Sequence, residues 1–132
     1  MATLRFVTRA DRKIDDVWKV ISTPDTIARW FPGVISSTTE GNIRRVRGGT
    51  EGNIGEVEDI IVTNDSQLRR FQYRVASAEG HLATVDVLPV GENDTMVVYS
   101  VELGSDDLAA AWGPYVEEGV KGLKRYLDGG GE

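Results

Sequence analysis

The sequence predicts an α+β fold: one strand, two helices, six consecutive strands and a long closing helix within 132 residues. Three observations carry the prediction. Residues 4–10 alternate apolar and polar with a period of two. Residues 34–103 are cut at hairpin spacing by turn-forming residues, leaving no room for the crossover helices that a parallel sheet requires. Residues 107–128 then return to a helical period.

Leu4, Phe6 and Thr8 form one side of the first strand, against Arg5, Val7 and Arg9, and the strand is expected to end near Ala10. A helix starting at Asp11 or Arg12 and running to Ser22 places Ile14, Val17, Trp18 and Ile21 on one face. Thr23-Pro24-Asp25 restarts the chain as a short helix, with Thr as the N-cap and Pro at the first helical position, where it loses no hydrogen bond. Pro32 ends it, so Ile27, Trp30 and Phe31 are the apolar residues of a compact helical corner. Breaks follow at Glu40-Gly41-Asn42, Gly48 to Asn53, Asn64-Asp65-Ser66, Ala78-Glu79-Gly80 and Gly91 to Asp94, giving an antiparallel meander. The last helix carries Leu108, Trp112, Tyr115, Val116, Gly119, Val120, Leu123 and Leu127 on one stripe. Pro114 is expected to kink it or split off a first segment. Gly119 and Gly122 each cost about 1 kcal/mol against Ala in a helix, so close approach of another element or room for a ligand must compensate. Seven strands with one long helix to cover them must curl around it, which leaves a space between the two.

Composition narrows the function classes. With 40% hydrophobic and 27% charged residues, the chain has the make-up of a soluble globular protein of one domain. The net charge of -6 argues against a nucleic-acid partner, and Arg44-Arg45-Val46-Arg47 is divided by strand alternation between two faces. No apolar run has the length of a signal-peptide core or a spanning helix, so the expectation is a cytoplasmic protein without integral membrane association. There is no Cys and one His, which removes thiolate chemistry and a histidine-based metal site; no metal or cofactor is expected. Gly48-Gly49-Thr50-Glu51-Gly52 lacks the Lys of a phosphate-cradling loop, and no GxSxG elbow occurs.

Alternation also assigns the concave face. Phe71, Tyr73 and Val75 face inward, as do His81, Ala83, Val85 and Val87 on the next strand and Val97, Tyr99, Val101 and Leu103 on the last. Pairing Val46 with Val57 and Gly48 with Gly55 sets Arg44 opposite Asp59, both inward. Charges there are costly unless paired or used on a ligand. Either the two form an ion pair between strands, or Arg44 anchors a carboxylate, phenolate or enolate while Asp59 holds the guanidinium. His81 is the one side chain whose ordinary pKa suits acid–base work near neutrality. Tyr73 and Tyr99 offer hydroxyls at the ends of apolar bodies; Trp30, Trp112 and Tyr115 read as core or as the lining of a pocket entrance.

The phrases Ile14-Asp15-Asp16-Val17-Trp18, Thr23-Pro24-Asp25 through Trp30-Phe31-Pro32-Gly33-Val34, Arg44-Arg45, and Gly119-Val120-Lys121-Gly122-Leu123-Lys124-Arg125-Tyr126-Leu127 resemble, in order and spacing, the START-like (SRPBCC) superfamily in its polyketide cyclase/dehydrase and lipid-transport branch. The resemblance spans nearly the whole chain. It implies a helix-grip domain over residues 1–132 with an apolar cavity between sheet and C-terminal helix. Relatives often carry Glu at the position of Asp59.

Together these point to a binder of a small apolar or aromatic molecule, an anionic one included, such as a lipid or polyketide. The binding candidates are Trp30, Arg44, Asp59, Phe71, Tyr73, His81, Val85, Tyr99, Trp112 and Tyr115. An alternative is a polyketide cyclase/dehydrase, with Arg44 stabilising an oxyanion and Tyr73, Tyr99 or His81 moving protons. A third reading is a protein-interaction module of the co-chaperone-like branch, which predicts a filled cavity.

Overall fold

The computed structural model describes residues 1–131. In chain order it contains β1 (Ala2–Ala10), α1 (Ile14–Ser22), a 3-10 turn (Pro24–Thr26), α2 (Ile27–Trp30), β2 (Val34–Glu40), β3 (Ile43–Thr50), β4 (Asn53–Asp65), β5 (Arg70–Val75), β6 (Leu82–Gly91), β7 (Asp94–Leu103) and α3 (Asp106–Asp128). The seven strands form one antiparallel sheet in the order β1-β7-β6-β5-β4-β3-β2. The chain thus enters on one edge, crosses through the helical corner to the other edge, and returns by consecutive hairpins.

The register of the β3–β4 hairpin is the one that the sequence predicts. Arg44 opposes Asp59, Val46 opposes Val57 and Gly48 opposes Gly55. The inward sets on β5, β6 and β7 are all buried, and with Val17, Val20 and Ile21 of α1 they make the core. One row of that core runs across three strands: Phe71 pairs with Val85, and Val85 with Tyr99. A continuous row of large side chains on one face is what burying a single sheet face requires.

Local expectations fail at three places, each for a physical reason. The first helix starts at Ile14, not at Asp11 or Arg12. Arg12 is drawn to the far end of the chain, where its Nη1 donates to the Gly131 carbonyl at 2.6 Å, and its own carbonyl accepts from Thr95 Oγ1 at 2.7 Å. Thr23 does not cap the corner with its side chain; its hydroxyl donates back to the Lys19 carbonyl of α1 at 2.7 Å. Pro114 does not split the last helix, which is continuous from Asp106 to Asp128. The residue before it is Gly113, with no Cβ to meet the proline ring, so the usual restriction on the pre-proline residue is lifted. Ser105 caps this helix by accepting the Leu108 N–H at 3.2 Å.

The helix glycines are explained by contact. A methyl group on Gly122 would lie 2.1 Å from the Trp30 carbonyl oxygen and 2.9 Å from Pro32 Cδ, and one on Gly119 would lie 2.4 Å from the Phe31 ring. The close approach is therefore to the helical corner rather than to the sheet. The corner is tied to the sheet by Asp25, whose Oδ1 accepts from the hydroxyls of Ser37 and Thr39 on β2, both at 2.7 Å.

Candidate functional site

The space beneath the helical corner is where the polar side chains of the core converge. Its wall on the helical side is Ile21, Pro24, Thr26, Ile27 and Trp30; its wall on the sheet side is Arg44, Phe71, Tyr73, Val85 and Tyr99. No residue of α3 lines it, because Val116, Val120 and Leu123 are packed directly into the core. The expected space between sheet and C-terminal helix is thus filled in the core, and what remains beneath the corner is a void of about 10 Å3, enough for one water molecule; a larger recess of about 390 Å3 lies apart from it, open at the surface between Asp11–Arg12 and the end of α3.

Arg44 and Asp59 are 2% and 3% exposed. Arg44 Nε donates to Asp59 Oδ2 at 2.8 Å, and Nη1 donates to the Pro24 carbonyl at 3.0 Å, so the guanidinium joins sheet to corner. Nη2 stands 2.7 Å from the same Asp59 oxygen, an ion-pair contact that falls outside hydrogen-bond geometry, so it makes no well-formed hydrogen bond. The guanidinium carbon lies 4.6 Å from the centre of the Tyr73 ring and 5.6 Å from that of Phe71. Burial pushes the Asp59 carboxyl above the usual carboxylate range against the opposing pull of Arg44. An ion pair held this way is the first of the two roles open to these residues in the sequence; the orphaned Nη2 keeps the second in play.

The Tyr73 and Tyr99 hydroxyls form a short hydrogen bond to each other. Burial raises the pKa of both, so both are neutral phenols near pH 7. Two protons serve one hydrogen bond, and one hydroxyl retains a proton to give. Thr26, which the sequence did not single out, lies on the roof; its hydroxyl is 2.7 Å from the Val20 carbonyl and accepts from Trp30 Nε1 at 3.4 Å. The spacing of four residues between Thr26 and Trp30 on a helical segment was the available signal.

From this void an aromatic row leads to α3. Phe71, Tyr73, His81 and Trp112 follow one another with ring centres 6.0, 5.7 and 4.9 Å apart. His81 is buried, and its Nδ1 accepts the Val75 N–H at 3.0 Å, so that nitrogen is committed to holding the β5–β6 turn. Trp112 is half-buried against it rather than lining the void. Tyr115 lies outside the site: it is 69% exposed, one position and about 100° around the helix from buried Val116. Among the described residues no group of three His, Asp or Glu is placed to hold a metal ion, and no helix is long and apolar enough to cross a membrane.

Burial pushes the His81 pKa down to about 4, with Arg74 acting in the same direction. The unfolded chain, with an ordinary histidine near 6.5, therefore binds more protons than the folded one between those values, and stability is lost as pH falls from 6.5 to 4. The expected loss is about 2 to 3 kcal/mol. Urea unfolding at a series of pH values tests this, with His81→Asn, which keeps an acceptor but cannot titrate, losing that part of the slope.

Solved structures share the fold at low sequence identity. A protein of Thermobifida fusca is 24% identical, with a TM-score of 0.76 over 97% of this chain and 91% of its own. A START superfamily protein from Mycobacterium smegmatis is 9% identical, with a TM-score of 0.80 over 96% and 97%. The Zhui aromatase/cyclase from Streptomyces sp. R1128 is 14% identical, with a TM-score of 0.78 over 96% and 93%. No curated protein matches in sequence. The sheet, the corner and the long helix have the arrangement of these START-like neighbours, and the model of the polyketide cyclase/dehydrase and lipid transport family matches residues 1–128; the chain belongs to that family.

Proposed function

We propose that this protein binds a small apolar or aromatic molecule, of the kind of a lipid or polyketide, through an oxygen atom held at Arg44. The observation that carries the reading is the Nη2 of a guanidinium almost wholly removed from water, which makes no well-formed hydrogen bond, at the wall of a void lined by apolar and aromatic side chains and the hydroxyls of Tyr73 and Tyr99. A ligand oxygen in line with its free N–H would add a charge-assisted hydrogen bond that the Asp59 contact does not supply. The remaining contacts would come from Phe71, Tyr73, Val85, Tyr99 and Trp30, with Asp59 fixing the guanidinium. A void of about 10 Å3 admits no such ligand, so binding requires the corner from Ile21 to Trp30 to move off the sheet.

The test is a native mass spectrum of the gently purified protein, followed by solvent extraction and identification of what is released. A stoichiometric small molecule is expected. A bare chain mass, together with no change in the NMR spectrum on adding 1-anilinonaphthalene-8-sulfonate, would overturn the reading. The filling of the grip favours a second reading, a protein-interaction module; it predicts that bare mass and a stoichiometric protein complex in place of the small molecule. The cyclase alternative rests on the family alone: it needs the same movement of the corner to admit a substrate, and its one histidine already has Nδ1 engaged.

A further inference from the structure

The void is rich in donors and already balanced in charge, and these two facts together restrict what can occupy it. Its unspent polar atoms are the Arg44 Nη2 N–H groups and one hydroxyl proton of the Tyr73–Tyr99 pair. Both are donors. The Pro24 carbonyl is taken by Arg44 Nη1, and the Thr26 hydroxyl is taken by backbone carbonyls and the Trp30 indole, which leaves the lone pairs of the Tyr73 and Tyr99 hydroxyls as the acceptors of the lining. A guest that brings an acceptor can therefore meet both donors.

Charge then separates two kinds of acceptor. Arg44 carries the one positive charge at the void, and Asp59 neutralises it at 2.7 Å. A carboxylate guest would leave the buried cluster with a net charge of about -1 and would sit beside a second carboxylate in a medium that screens poorly. Asp59 meets the cost of its burial with Arg44 as its partner, so sharing that guanidinium with a second anion would weaken the existing pair. A carbonyl oxygen uses the same N–H groups without this penalty. From the donor surplus and the neutral ion pair we infer that the site selects a neutral apolar molecule bearing a carbonyl-type acceptor over the corresponding carboxylate.

This inference rests on the binding reading above, and the experiment separates the two. Acetophenone, benzoate and ethylbenzene have the same aromatic body and differ in presenting a neutral acceptor, an anionic acceptor or none. Each is titrated at pH 7.5 by NMR and by calorimetry against the full chain and against the double variant Arg44→Met/Asp59→Leu, which removes the guanidinium donor and the ion pair together. Acetophenone is expected to bind about tenfold or more tightly than either of the others, and to lose most of that margin over ethylbenzene in the double variant, where only the Tyr73–Tyr99 hydroxyl proton is left to donate. Benzoate binding as tightly as acetophenone, or acetophenone binding no better than ethylbenzene, overturns the inference and leaves the binding reading standing. If none of the three binds, the inference falls, and the binding reading falls with it only if the native mass is bare and the anilinonaphthalene probe gives no response.

Discussion

Arg44→Met is expected to lower the free energy of unfolding by about 3 to 5 kcal/mol. The variant leaves the Asp59 carboxylate 3% exposed and without its cation, and deprives the Pro24 carbonyl of its donor. Against a total of about 5 to 15 kcal/mol for a domain, this brings the protein close to unfolding. The pH dependence of the loss has a definite sign. Without Arg44, burial acts unopposed on a carboxyl whose pKa is already raised, so the folded variant binds more protons than its unfolded chain as pH falls through the raised value. The gap between variant and wild type should therefore narrow from pH 7 to pH 5, while the His81 contribution, common to both, cancels in the difference.

The double variant Arg44→Met/Asp59→Leu gives this result its meaning. Replacing a buried pair by apolar side chains of similar size is often neutral, and can be stabilising by about 1 to 4 kcal/mol. Urea midpoints for the single and double variants, compared at constant slope, distinguish two cases. A double variant at or above wild-type stability means that the pair costs the fold something, and that Arg44 and Asp59 do work other than holding β3 to β4. A double variant as damaged as the single one means that the ion pair and its bond to Pro24 are structural, and the donor at the void is a by-product.

The parts of this site legible in the sequence are those set by period-two alternation. Once Val46 was paired with Val57, the inward aim of Arg44 and Asp59 followed from register alone, and Phe71, Tyr73, Val85 and Tyr99 followed from theirs. What alternation does not contain is depth. It says which side chains face the helices, but not how closely the helices descend, and so it could not tell an open grip from a void for one water. That distance is set at Gly119 and Gly122, where the missing side chains were visible but their partner, the Trp30–Pro32 corner, was not. Nor does periodicity see bonds between distant segments. The bond from Arg12 to the Gly131 carbonyl is a contact across 119 positions, and the bond from Arg44 to the Pro24 carbonyl is one across 20. Tyr115 failed for a simpler reason: a helix stripe drawn wide enough to hold Leu108 and Trp112 also admits the residue beside Val116 that points to water.

Gly122→Ala is expected to cost about 3 kcal/mol, in a helix where the same change on an exposed face would gain up to about 1 kcal/mol. The added methyl group would meet the Trp30 carbonyl at 2.1 Å, and this obstacle is backbone, braced on the other side by Pro32. It yields only if α3 and the corner separate. Gly119→Ala meets a side chain instead, the half-buried Phe31 ring at 2.4 Å, which can turn aside; a loss of about 1 kcal/mol is expected there. Thermal or urea unfolding of the two variants checks the ranking, and equal losses would mean that Phe31 is as fixed as the backbone. The comparison also bears on binding, because the corner that Gly122 receives is the roof of the void, with Trp30 in both. A methyl group that lifts this contact should raise amide exchange along residues 21–30, and if the corner is the gate, it should speed the entry of acetophenone while weakening the fold. Faster exchange without faster entry would place the gate elsewhere, since the roof would then open without admitting a guest.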